Sequence, residues 1–480
     1  MVKVDRDARH KKACVIGAGP NGLSAAIVLA QGGLRVEVFE AEAQPGGGAR
    51  TMDLTLPGFH HDFGSAVHPM AVGSPFFNSL PLADYGLEWL DSPAPLAHPF
   101  DDGTAITLER NLHDAEKVLR EDGRAWRNLM APLSENWPAF ARDILRPLFR
   151  IPSHPLLLAK FARDALAPAT LVARRRFRNE RTRALFAGLA AHSFLSLNEP
   201  LSASFGLVLG AAAHAVGWPI PRGGAQAITN ALSAHLVRLG GRIIPSTRIE
   251  DFGEVRKYDV ILCDLTPRQL LHLSQGKLSP RYCKSMEEFR YGPGVFKVDY
   301  ALSSPIPWKS EDCLRAATVH LGGSMLEIAA SEAAMANGAI AERPFVLLAQ
   351  PTLFDPSRAP AGKHIAWAYC HVPNGSTCNM LPRIEAQIER FAPGFRECVL
   401  ARRASSPADL QSMDANLVGG DISGGASDIR QFLFRPTWRQ YATPDKRIYL
   451  CSSCTPPGGG VHGMCGFNAA QLALRRLATH

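Results

Sequence analysis

Three glycines near the start of the chain have the spacing that lets a peptide backbone approach a phosphate group. Gly17, Gly19 and Gly22 form the pattern G-x-G-x-x-G, and the carboxylate of Glu40 follows further along the chain. In this pattern the first glycine permits a tight turn, the second admits a diphosphate, and the third lets a helix pack closely on a strand. An acid at the position of Glu40 can accept both hydroxyl groups of a ribose. The spacing therefore predicts a dinucleotide-binding site.

The sequence around the glycines predicts the elements that would hold them. Residues 13–16 are a short apolar run typical of a buried parallel strand, residues 23–30 favour a helix, and residues 35–39 favour a second strand. The N-terminus of that helix would offer free N–H groups and the positive end of its dipole to a phosphate. Because strand, turn, helix, second strand and acid occur in this order, the alternative of a glycine turn without a ligand is disfavoured.

A second glycine-rich loop follows the second strand and contains an arginine. Its residues 46–51 read Gly-Gly-Gly-Ala-Arg-Thr, and such a loop can wrap the far side of a diphosphate, which a simple NAD dehydrogenase does not need. With this loop, the N-terminal segment resembles the flavoprotein superfamily of amine oxidases, protoporphyrinogen oxidase and phytoene desaturases. In that superfamily a dinucleotide fold is followed by a GG-x-(A)R-(T) loop around FAD.

A pattern near the C-terminus narrows the resemblance. Residues 457–470 read PGGGVHGMCGFNAA, after a predicted strand at 448–453 and running into a predicted helix at 467–477. This pattern is similar to that of the phytoene-dehydrogenase-like branch, although His462 and Cys465 stand where we expect less polar residues. The N–H groups at the start of the helix could face N1 and O2 of a flavin, where negative charge accumulates on reduction.

The resemblance implies an α/β fold, with a Rossmann-type FAD-binding domain and an interleaved α+β substrate domain. We expect the FAD-binding domain to be assembled from three segments and the substrate domain from two. The FAD-binding segments are 11–74, 218–290 and 441–480, and the substrate segments are 75–217, mostly helical, and 291–440, with a mixed or antiparallel sheet.

Three local predictions depend on residue patterns within short segments. Residues 242–244 and 247–249 favour a pair of strands, and residues 397–403 favour the apolar continuation of a helix. Residues 185–215 are rich in alanine, glycine and leucine, and they favour two tightly packed helices split at 198–200.

The resemblance also implies which residues contact the cofactor. They come from the glycine turn, the end of the second strand, the arginine loop, a middle segment and the C-terminal turn. They are Gly17, Gly19, Pro20, Asn21, Gly22, Glu40, Ala41, Gly47, Gly48, Ala49, Arg50, Thr51, Arg248, Ile249, Ser453, Gly460, Val461 and Met464.

Two histidines are candidates for catalysis, by handling a proton or by tuning the flavin. The resemblance places His68 near the isoalloxazine, and a capping or core-edge role for it is equally open. His462 lies in the C-terminal glycine turn. His192 and His214 lie in apolar helical segments, where a histidine is more often a satisfied core residue than a substrate contact.

The resemblance implies an FAD-dependent dehydrogenase or oxidase that removes a hydride from an apolar, isoprenoid-like small molecule, with the flavin supplying the redox chemistry. An FAD-dependent isomerase or saturase would share every motif above and stays open. An amine oxidase would need an aromatic cage beside the flavin, for which residues 449–467 offer little. A non-catalytic flavin-binding partner protein stays open as well. No second G-x-G-x-x-G follows at a strand–helix junction, which argues against a separate NAD(P)H domain.

The composition is that of a globular protein. The 480 residues are too many for one core, and 46% of them are hydrophobic and 20% charged. No apolar run is long enough to span a membrane, and residues 1–12 lack the apolar core of a signal peptide. The ten cysteines are scattered, which suits free thiols in a reducing compartment. We therefore expect a cytoplasmic protein, with no metal site because no His/Cys spacing recurs.

A basic stretch between Arg142 and Arg183 supplies part of the formal net charge of +8. Apolar residues, including Leu148-Phe149 and residues 156–158, interleave with its lysines and arginines. Such a stretch could lie on an anionic membrane surface as a peripheral contact, and a solvated helical face over a core is the favoured alternative. No nucleic-acid motif accompanies the charge, so no nucleic-acid partner is expected. The oligomeric state is left open.

Overall fold

The structure is a computed structural model that describes residues 11–147 and 151–478. Its strands are β1 (Lys12–Ile16), β2 (Arg35–Phe39), β3 (Thr51–Asp53), β4 (His60–Asp62), β5 (Trp89–Leu90), β6 (Ala94–Pro99), β7 (Ala105–Leu108), β8 (Ile220–Pro221), β9 (Arg242–Ile244), β10 (Val260–Cys263), β11 (Gly294–Leu302), β12 (Ala316–Leu321), β13 (Val346–Ala349), β14 (His364–Val372), β15 (Val399–Ser405) and β16 (Ile448–Leu450).

Helices cover both sides of the strands. They are α1 (Pro20–Gln31), α2 (Pro69–Val72), α3 (Leu112–Val118), α4 (Gly123–Ser134), α5 (Trp137–Ile144), α6 (Pro155–Ala165), α7 (Ala169–Arg176), α8 (Glu180–Ala191), α9 (Ser202–Val216), α10 (Gln226–Arg238), α11 (Pro267–Ser274), α12 (Pro280–Glu287), α13 (Met325–Ala336), α14 (Leu381–Phe391), α15 (Phe395–Cys398), α16 (Pro407–Met413), α17 (Ile429–Phe434) and α18 (Met464–Leu477).

A five-stranded parallel sheet carries the glycine turn. Its strand order is β16-β10-β1-β2-β9, and every neighbouring pair is parallel. The central strands β1 and β10 are buried almost throughout, which is why they consist of continuous apolar runs. Because the strands are parallel, the carboxyl ends of β1, β2 and β10 meet at one edge, where doubly wound sheets bind their ligands. The α/β fold class is thereby confirmed.

A seven-stranded sheet forms a second layer. Its order is β15-β11-β14-β13-β12-β6-β7, and its strands pair antiparallel except for the parallel pair of β12 with β6. The segment 75–217, expected to be mostly helical, thus also supplies two strands of this sheet. The sheet is therefore mixed, whereas the sequence predicted either a mixed or an antiparallel sheet.

Alternation along β11 and β14 gives the seven-stranded sheet two different faces. One face is apolar and packs in a core that includes α14. The other face carries Lys297, Asp299, Trp367 and Tyr369, with Lys297 opposite Tyr369 and Asp299 opposite Trp367 in the strand register. This second face is called the inner face below, since Trp367 and Tyr369 belong to the core that also contains the glycine-turn strands.

The predicted pair of small-residue helices is confirmed as α8 and α9, which are separated by residues 192–201. A Cβ atom at Gly210 would lie 2.8 Å from Cε of Met130, and one at Gly206 would lie 3.0 Å from the ring of Phe186. The absence of side chains at these glycines therefore lets α9 approach α4 and α8.

Contacts from distant elements override two of the local predictions. Residues 247–249 do not form a strand, because Ser246 has a φ of +53° that turns the chain, and the N–H of Thr247 then donates to the carbonyl of Glu40, 2.8 Å away. The prediction of helix at 397–403 is wrong beyond Cys398, because the chain from Val399 pairs with β11 as an edge strand. In addition, α18 begins at Met464, before the predicted start at residue 467.

Candidate functional site

The glycine turn between β1 and α1 has the close packing that its spacing predicts. Gly17 has a φ of +99°, which strains any residue with a side chain. A Cβ atom at Gly22 would lie 2.1 Å from the carbonyl oxygen of Gly17, and one at Gly19 would lie 2.9 Å from Oδ2 of Asp264. The helix starts at Pro20, where a missing N–H costs nothing. Each of the three glycines therefore meets a steric requirement.

Glu40 lies at the end of β2 and is buried against the glycine turn. Its Oε2 accepts a hydrogen bond from the N–H of Ala18 at 2.8 Å, and its Oε1 accepts one from the N–H of Glu42 at 2.9 Å. The carboxylate thus ties β2 to the turn. Each oxygen keeps a further lone pair, with which it can accept a hydroxyl group.

Arg50 anchors the second glycine loop to α16. Its Nε donates to the carbonyl of Gly47 at 3.0 Å, and its Nη2 donates to the carbonyl of Met413 at 2.6 Å. The guanidinium lies 5.0 Å from the ring centroid of Phe63, and its Nη1 lies 3.8 Å from Oε2 of Glu42. These contacts hold a buried positive charge beside the glycine turn.

Hydrogen bonds of Thr51 connect two segments that are distant in the sequence. Its hydroxyl donates to Oδ1 of Asp62 at 2.8 Å and accepts from the N–H of Gln226 at 3.1 Å. The same Asp62 oxygen accepts from the N–H of Ala225 at 2.7 Å. A Cβ atom at Gly224 would lie 2.4 Å from the Thr51 hydroxyl. These contacts join the β3–β4 hairpin to the start of α10.

A cavity of about 390 Å³ opens beside the glycine turn, at the carboxyl ends of β1, β2 and β10. That volume is within the usual range of small-molecule sites, about 300–1,000 Å³. The predicted cofactor residues that line it are Gly17, Gly19, Glu40, Ala41, Gly47, Arg50, Arg248 and Ile249. The predicted residues that do not line it are Pro20, Asn21, Gly22, Gly48, Ala49, Thr51, Ser453, Gly460, Val461 and Met464.

The C-terminal turn brings the start of α18 against the start of α1. A Cβ atom at Gly466 would lie 1.8 Å from the carbonyl oxygen of Asn21, and one at Gly463 would lie 2.3 Å from the hydroxyl of Ser24. The N-termini of the two helices therefore lie side by side. Both present the positive end of a helix dipole to the same region, which favours a bound anion.

Ser453, Gly460 and Val461 lie in the turn that leads to α18. Ser453 packs so closely on a neighbouring loop that a Cβ atom at Gly424 would lie 2.5 Å from its hydroxyl. Cys451 and Cys454 have C-x-x-C spacing, and both are buried free thiols. Burial raises the pKa of Cys454 to about 12, so its reactive thiolate form is disfavoured.

The two candidate catalytic histidines are buried and neutral at pH 7. Burial lowers the pKa of His68 and of His462 to about 4. The Nδ1 atom of His462 accepts from the N–H of Met464 at 3.1 Å, so this side chain helps to start α18. The Nε2 atom of His68 has no hydrogen-bond partner among the described residues, and its ring lies 6.1 Å from that of Trp89. His68 thus keeps a ring nitrogen free for a ligand.

Sequence reasoning missed a buried ion pair on the inner face of the seven-stranded sheet. Nζ of Lys297 donates to Oδ1 of Asp299 and lies 5.5 Å from the ring centroid of Trp367. Trp367 and Tyr369 stack with their centroids 5.5 Å apart. Burial raises the pKa of Asp299, while Lys297 opposes that shift. The signal in the sequence was a lysine and an aspartate at alternate positions of an apolar strand, which places both on one face.

The ion pair continues into a network at the β3–β4 hairpin. Nδ1 of His61 lies 3.7 Å from Oδ1 of Asp299, and burial lowers the pKa of His61 to about 3. On the next residue, Oδ2 of Asp62 lies 2.8 Å from Nη2 of Arg358. The buried Asp62–Arg358 pair therefore holds the hairpin to the segment between β13 and β14, and His61 lies beside Asp299 of the inner face.

The histidines of α8 and α9 have different surroundings. Nε2 of His192, just after α8, lies 3.1 Å from Nε2 of His320 on β12, and burial lowers the pKa of His192 to about 3. His214 accepts from Nε1 of Trp126 at 2.8 Å, and its other ring nitrogen lies 3.0 Å from the carbonyl of Arg110. Both ring nitrogens of His214 therefore have a partner within hydrogen-bonding distance, as expected, although the residue is only half-buried.

Comparisons with known proteins agree with this geometry. A family described as NAD(P)-binding Rossmann-like domain matches residues 15–79. The solved structure of an oxidoreductase from Methanosarcina mazei superposes with a TM-score of 0.65, at 18% identity, over 98% of this chain and 100% of that one. Putrescine oxidase bound to putrescine superposes with a TM-score of 0.61, at 14% identity, over 98% and 99%. At these identities the likeness shows the fold.

Some relatives match nearly the whole chain in sequence. Pyridine nucleotide-disulfide oxidoreductase domain-containing protein 2 of Mus musculus is 27% identical over 97% of this chain and 93% of its own length. Phytoene desaturase (lycopene-forming) of Pseudescherichia vulneris is 24% identical over 97% and 99%. This chain is an oxidoreductase, similar in sequence to proteins named as oxidoreductases and desaturases. The glycine turn and the family match indicate that the oxidoreductase uses a dinucleotide cofactor.

Among residues 11–147 and 151–478, no helix is both long enough and apolar enough to cross a membrane. The same residues contain no group of three or more His, Cys, Asp or Glu side chains arranged to hold a metal ion.

Proposed function

We propose that this oxidoreductase is an FAD-dependent dehydrogenase or oxidase that removes a hydride from an apolar small molecule. The observation that carries the proposal is the combination of a glycine-walled cavity with an inner sheet face on which Lys297 lies beside Trp367 and Tyr369. The cavity suits a dinucleotide diphosphate, and the aromatic face suits an apolar substrate. Buried polar groups at the β3–β4 hairpin join the two regions.

FAD fits the residues better than NAD. The glycine turn has glycines at positions where a Cβ atom would collide with backbone or with Asp264. Beyond the cavity, the arginine loop and the paired N-termini of α1 and α18 extend the set of anion-stabilising groups. A nicotinamide dinucleotide in a simple dehydrogenase uses the first glycine turn alone, whereas a flavin needs support along its whole length.

When bound, FAD would supply the hydride acceptor, and the chain would position it. The glycine turn and Arg50 would hold the diphosphate, and Glu40 would accept ribose hydroxyls. The first N–H groups of α18 would stabilise negative charge on the reduced ring. His68 and His462, both neutral, would tune the ring by hydrogen bonds without adding positive charge. Lys297 and Asp299 are titratable groups on the inner face.

The relatives support an apolar, isoprenoid-like substrate, since one of them is named phytoene desaturase. The inner face also weighs against a cationic amine, because the ammonium of Lys297 already lies 5.5 Å from the Trp367 ring centroid. A second cation at this aromatic face would be repelled. The stacked Trp367–Tyr369 pair nevertheless keeps amine oxidation as a second candidate to be tested.

The test is the visible spectrum of the purified chain, recorded anaerobically while isoprenoid, amine and acyl compounds are added in turn. We expect the absorption of oxidised flavin, near about 450 nm, to bleach with an apolar isoprenoid and not with amines. Bleaching by an amine alone would establish the second candidate. A flavin that no compound bleaches would favour the isomerase, saturase or non-catalytic alternatives, and failure to bind FAD at all would refute the proposal.

A further inference from the structure

A carboxyl group lies at the end of the helix that would bind the diphosphate. Asp264 follows β10, and its Oδ2 accepts a hydrogen bond from the N–H of Gly22, in the first turn of α1, at 2.8 Å. The same oxygen would lie 2.9 Å from a Cβ atom at Gly19. Asp264 is only 7% exposed and lines the cavity. The carboxyl group of Asp264 therefore already occupies part of the N-terminus of α1, which favours anions.

The groups around Asp264 do not neutralise it. Two further carboxyl groups face it, Glu40 from the end of β2 and Asp414 from the end of α16. The remaining facing groups are the buried thiols of Cys263, Cys451 and Cys465. No ion pair joins Asp264 to a cation within the described residues. The charged residues elsewhere on the cavity wall are Glu42, Arg50, Arg248, Glu250 and Arg268, with His272 as a further titratable group.

This environment makes the charged form of Asp264 costly. Burial, followed by the negative charges of Asp414 and Glu40, raises the pKa of Asp264 to about 7, although the N–H of Gly22 opposes the shift. A diphosphate brings two more negative charges into the same cavity. Its arrival would favour the neutral carboxyl further, since like charges in a desolvated site disfavour ionisation.

We propose that Asp264 couples cofactor binding to proton uptake, so that the chain holds its dinucleotide more tightly at low pH than at high pH. The proposal rests on the proposed function, because the dinucleotide is taken to be FAD. Below about pH 7 the carboxyl is already neutral and binding needs no proton. Above that value each bound FAD takes up one proton, so the affinity falls by about tenfold per pH unit.

The experiment is calorimetric titration of the full, FAD-depleted chain with FAD between about pH 6 and pH 9, in two buffers of different ionisation enthalpy. For the unaltered chain we expect uptake of up to about one proton and a Kd that rises about tenfold per pH unit above pH 7. Asp264→Asn keeps an oxygen for the N–H of Gly22 and removes the charge. This variant should take up no proton, and its Kd should not change with pH.

A matched control removes an exposed charge from the rim of the same cavity. The side chain of Glu250 is 62% exposed, and Glu250→Gln should keep the pH dependence of the unaltered chain.

Two results overturn the proposal directly. One is a Kd that is independent of pH in the unaltered chain, and the other is an Asp264→Asn variant whose Kd still rises with pH. If Asp414→Asn abolishes the slope and Asp264→Asn does not, the proton belongs to Asp414 and the proposal fails. Absence of FAD binding at every pH, in both the unaltered chain and Asp264→Asn, overturns the proposed function itself, which distinguishes the two failures.

Discussion

Nη2 of Arg358 lies 2.8 Å from Oδ2 of Asp62, and both side chains are fully buried. The arginine also donates to the carbonyl of His60, 2.8 Å away. Asp62 in turn receives hydrogen bonds from Thr51, in the arginine loop, and from Ala225, at the start of α10. This ion pair therefore holds the β3–β4 hairpin, which follows the arginine loop, to the segment between β13 and β14.

Arg358→Met should lower the free energy of unfolding by about 3–5 kcal/mol, because it leaves the Asp62 carboxylate buried without its cation. Denaturant unfolding measures the loss, and adding Asp62→Asn should recover part of it. The control is Arg242→Met, whose side chain is 75% exposed in its pair with Glu37 and which should cost below about 1 kcal/mol. An equal loss in both single variants would contradict the prediction.

Buried neutral histidines should make the protein less stable as the pH falls from about 7 to about 5. Burial lowers the pKa of His61 and His192 to about 3, and that of His68, His98 and His462 to about 4. An unfolded histidine titrates near about 6.5, so between these values the unfolded chain binds more protons than the folded one. Each such histidine should contribute up to about 1.4 kcal/mol per pH unit to the dependence of the free energy of unfolding on pH.

Two variants test whether a buried histidine causes this pH dependence. Their free energies of unfolding are measured with denaturant at several pH values. His98 is fully buried, so His98→Gln should reduce the pH dependence of the free energy of unfolding whatever it does to stability at pH 7. His272 has a side chain that is 76% exposed, so His272→Gln should leave the slope unchanged. Equal slopes in both variants would show that burial of His98 does not produce the effect.

Lys297→Met should slow the reduction of bound flavin by about 10²-fold or more, if the proposed function holds, because it removes one of the titratable groups of the inner face. The single variant also leaves Asp299 buried and unpaired, which lowers stability. Lys297→Met with Asp299→Asn removes both charges and should recover stability but not the rate. Anaerobic stopped-flow spectroscopy gives the rate, and a double variant as fast as the unaltered chain would rule out a role for Lys297 in the reaction.

Gly22→Ala should lower the melting temperature and, if the proposed function holds, abolish retention of FAD, because a Cβ atom there would lie 2.1 Å from the carbonyl oxygen of Gly17. Gly48→Ala is the matched control, since a Cβ atom at Gly48 meets no atom within 4 Å. That variant should melt at the temperature of the unaltered chain. Flavin content and thermal unfolding are the two readouts, and equal melting temperatures in all three proteins would contradict the steric argument.

The basic stretch between Arg142 and Arg183 should bind anionic vesicles if it forms a peripheral membrane contact. Ile151 is 92% exposed and Leu156 is 81% exposed, whereas the predicted Leu148-Phe149 lie outside the described residues. Replacing both exposed side chains by serine should weaken vesicle binding roughly tenfold, from a loss of about 1–3 kcal/mol of apolar burial. Leu326→Ser, at a residue that is 58% exposed on α13, is the control in a co-sedimentation assay. Equal binding by all variants would favour the solvated-face alternative.

The amino-acid sequence by itself determined the turn from β1 through α1 to β2. Its requirements are local: the positive φ of Gly17 and the collision that a side chain at Gly22 would make with Gly17 both arise within a few residues. The break between α8 and α9 contains Pro200, as the sequence predicts, although α8 already ends at Ala191. Such features depend on backbone sterics and hydrogen bonds that close over short distances.

Only the tertiary structure decided which groups these elements meet. Alternation along β11 places Lys297 and Asp299 on one face, but the strand order determines that Trp367 lies beside them. The contact of Asp264 with Gly22 exists because β10 lies next to β1, far from it in the chain. Residues 399–405 became a strand because β11 offered an unpaired edge. In each case the deciding partner is distant in sequence, and local propensity contains no information about it.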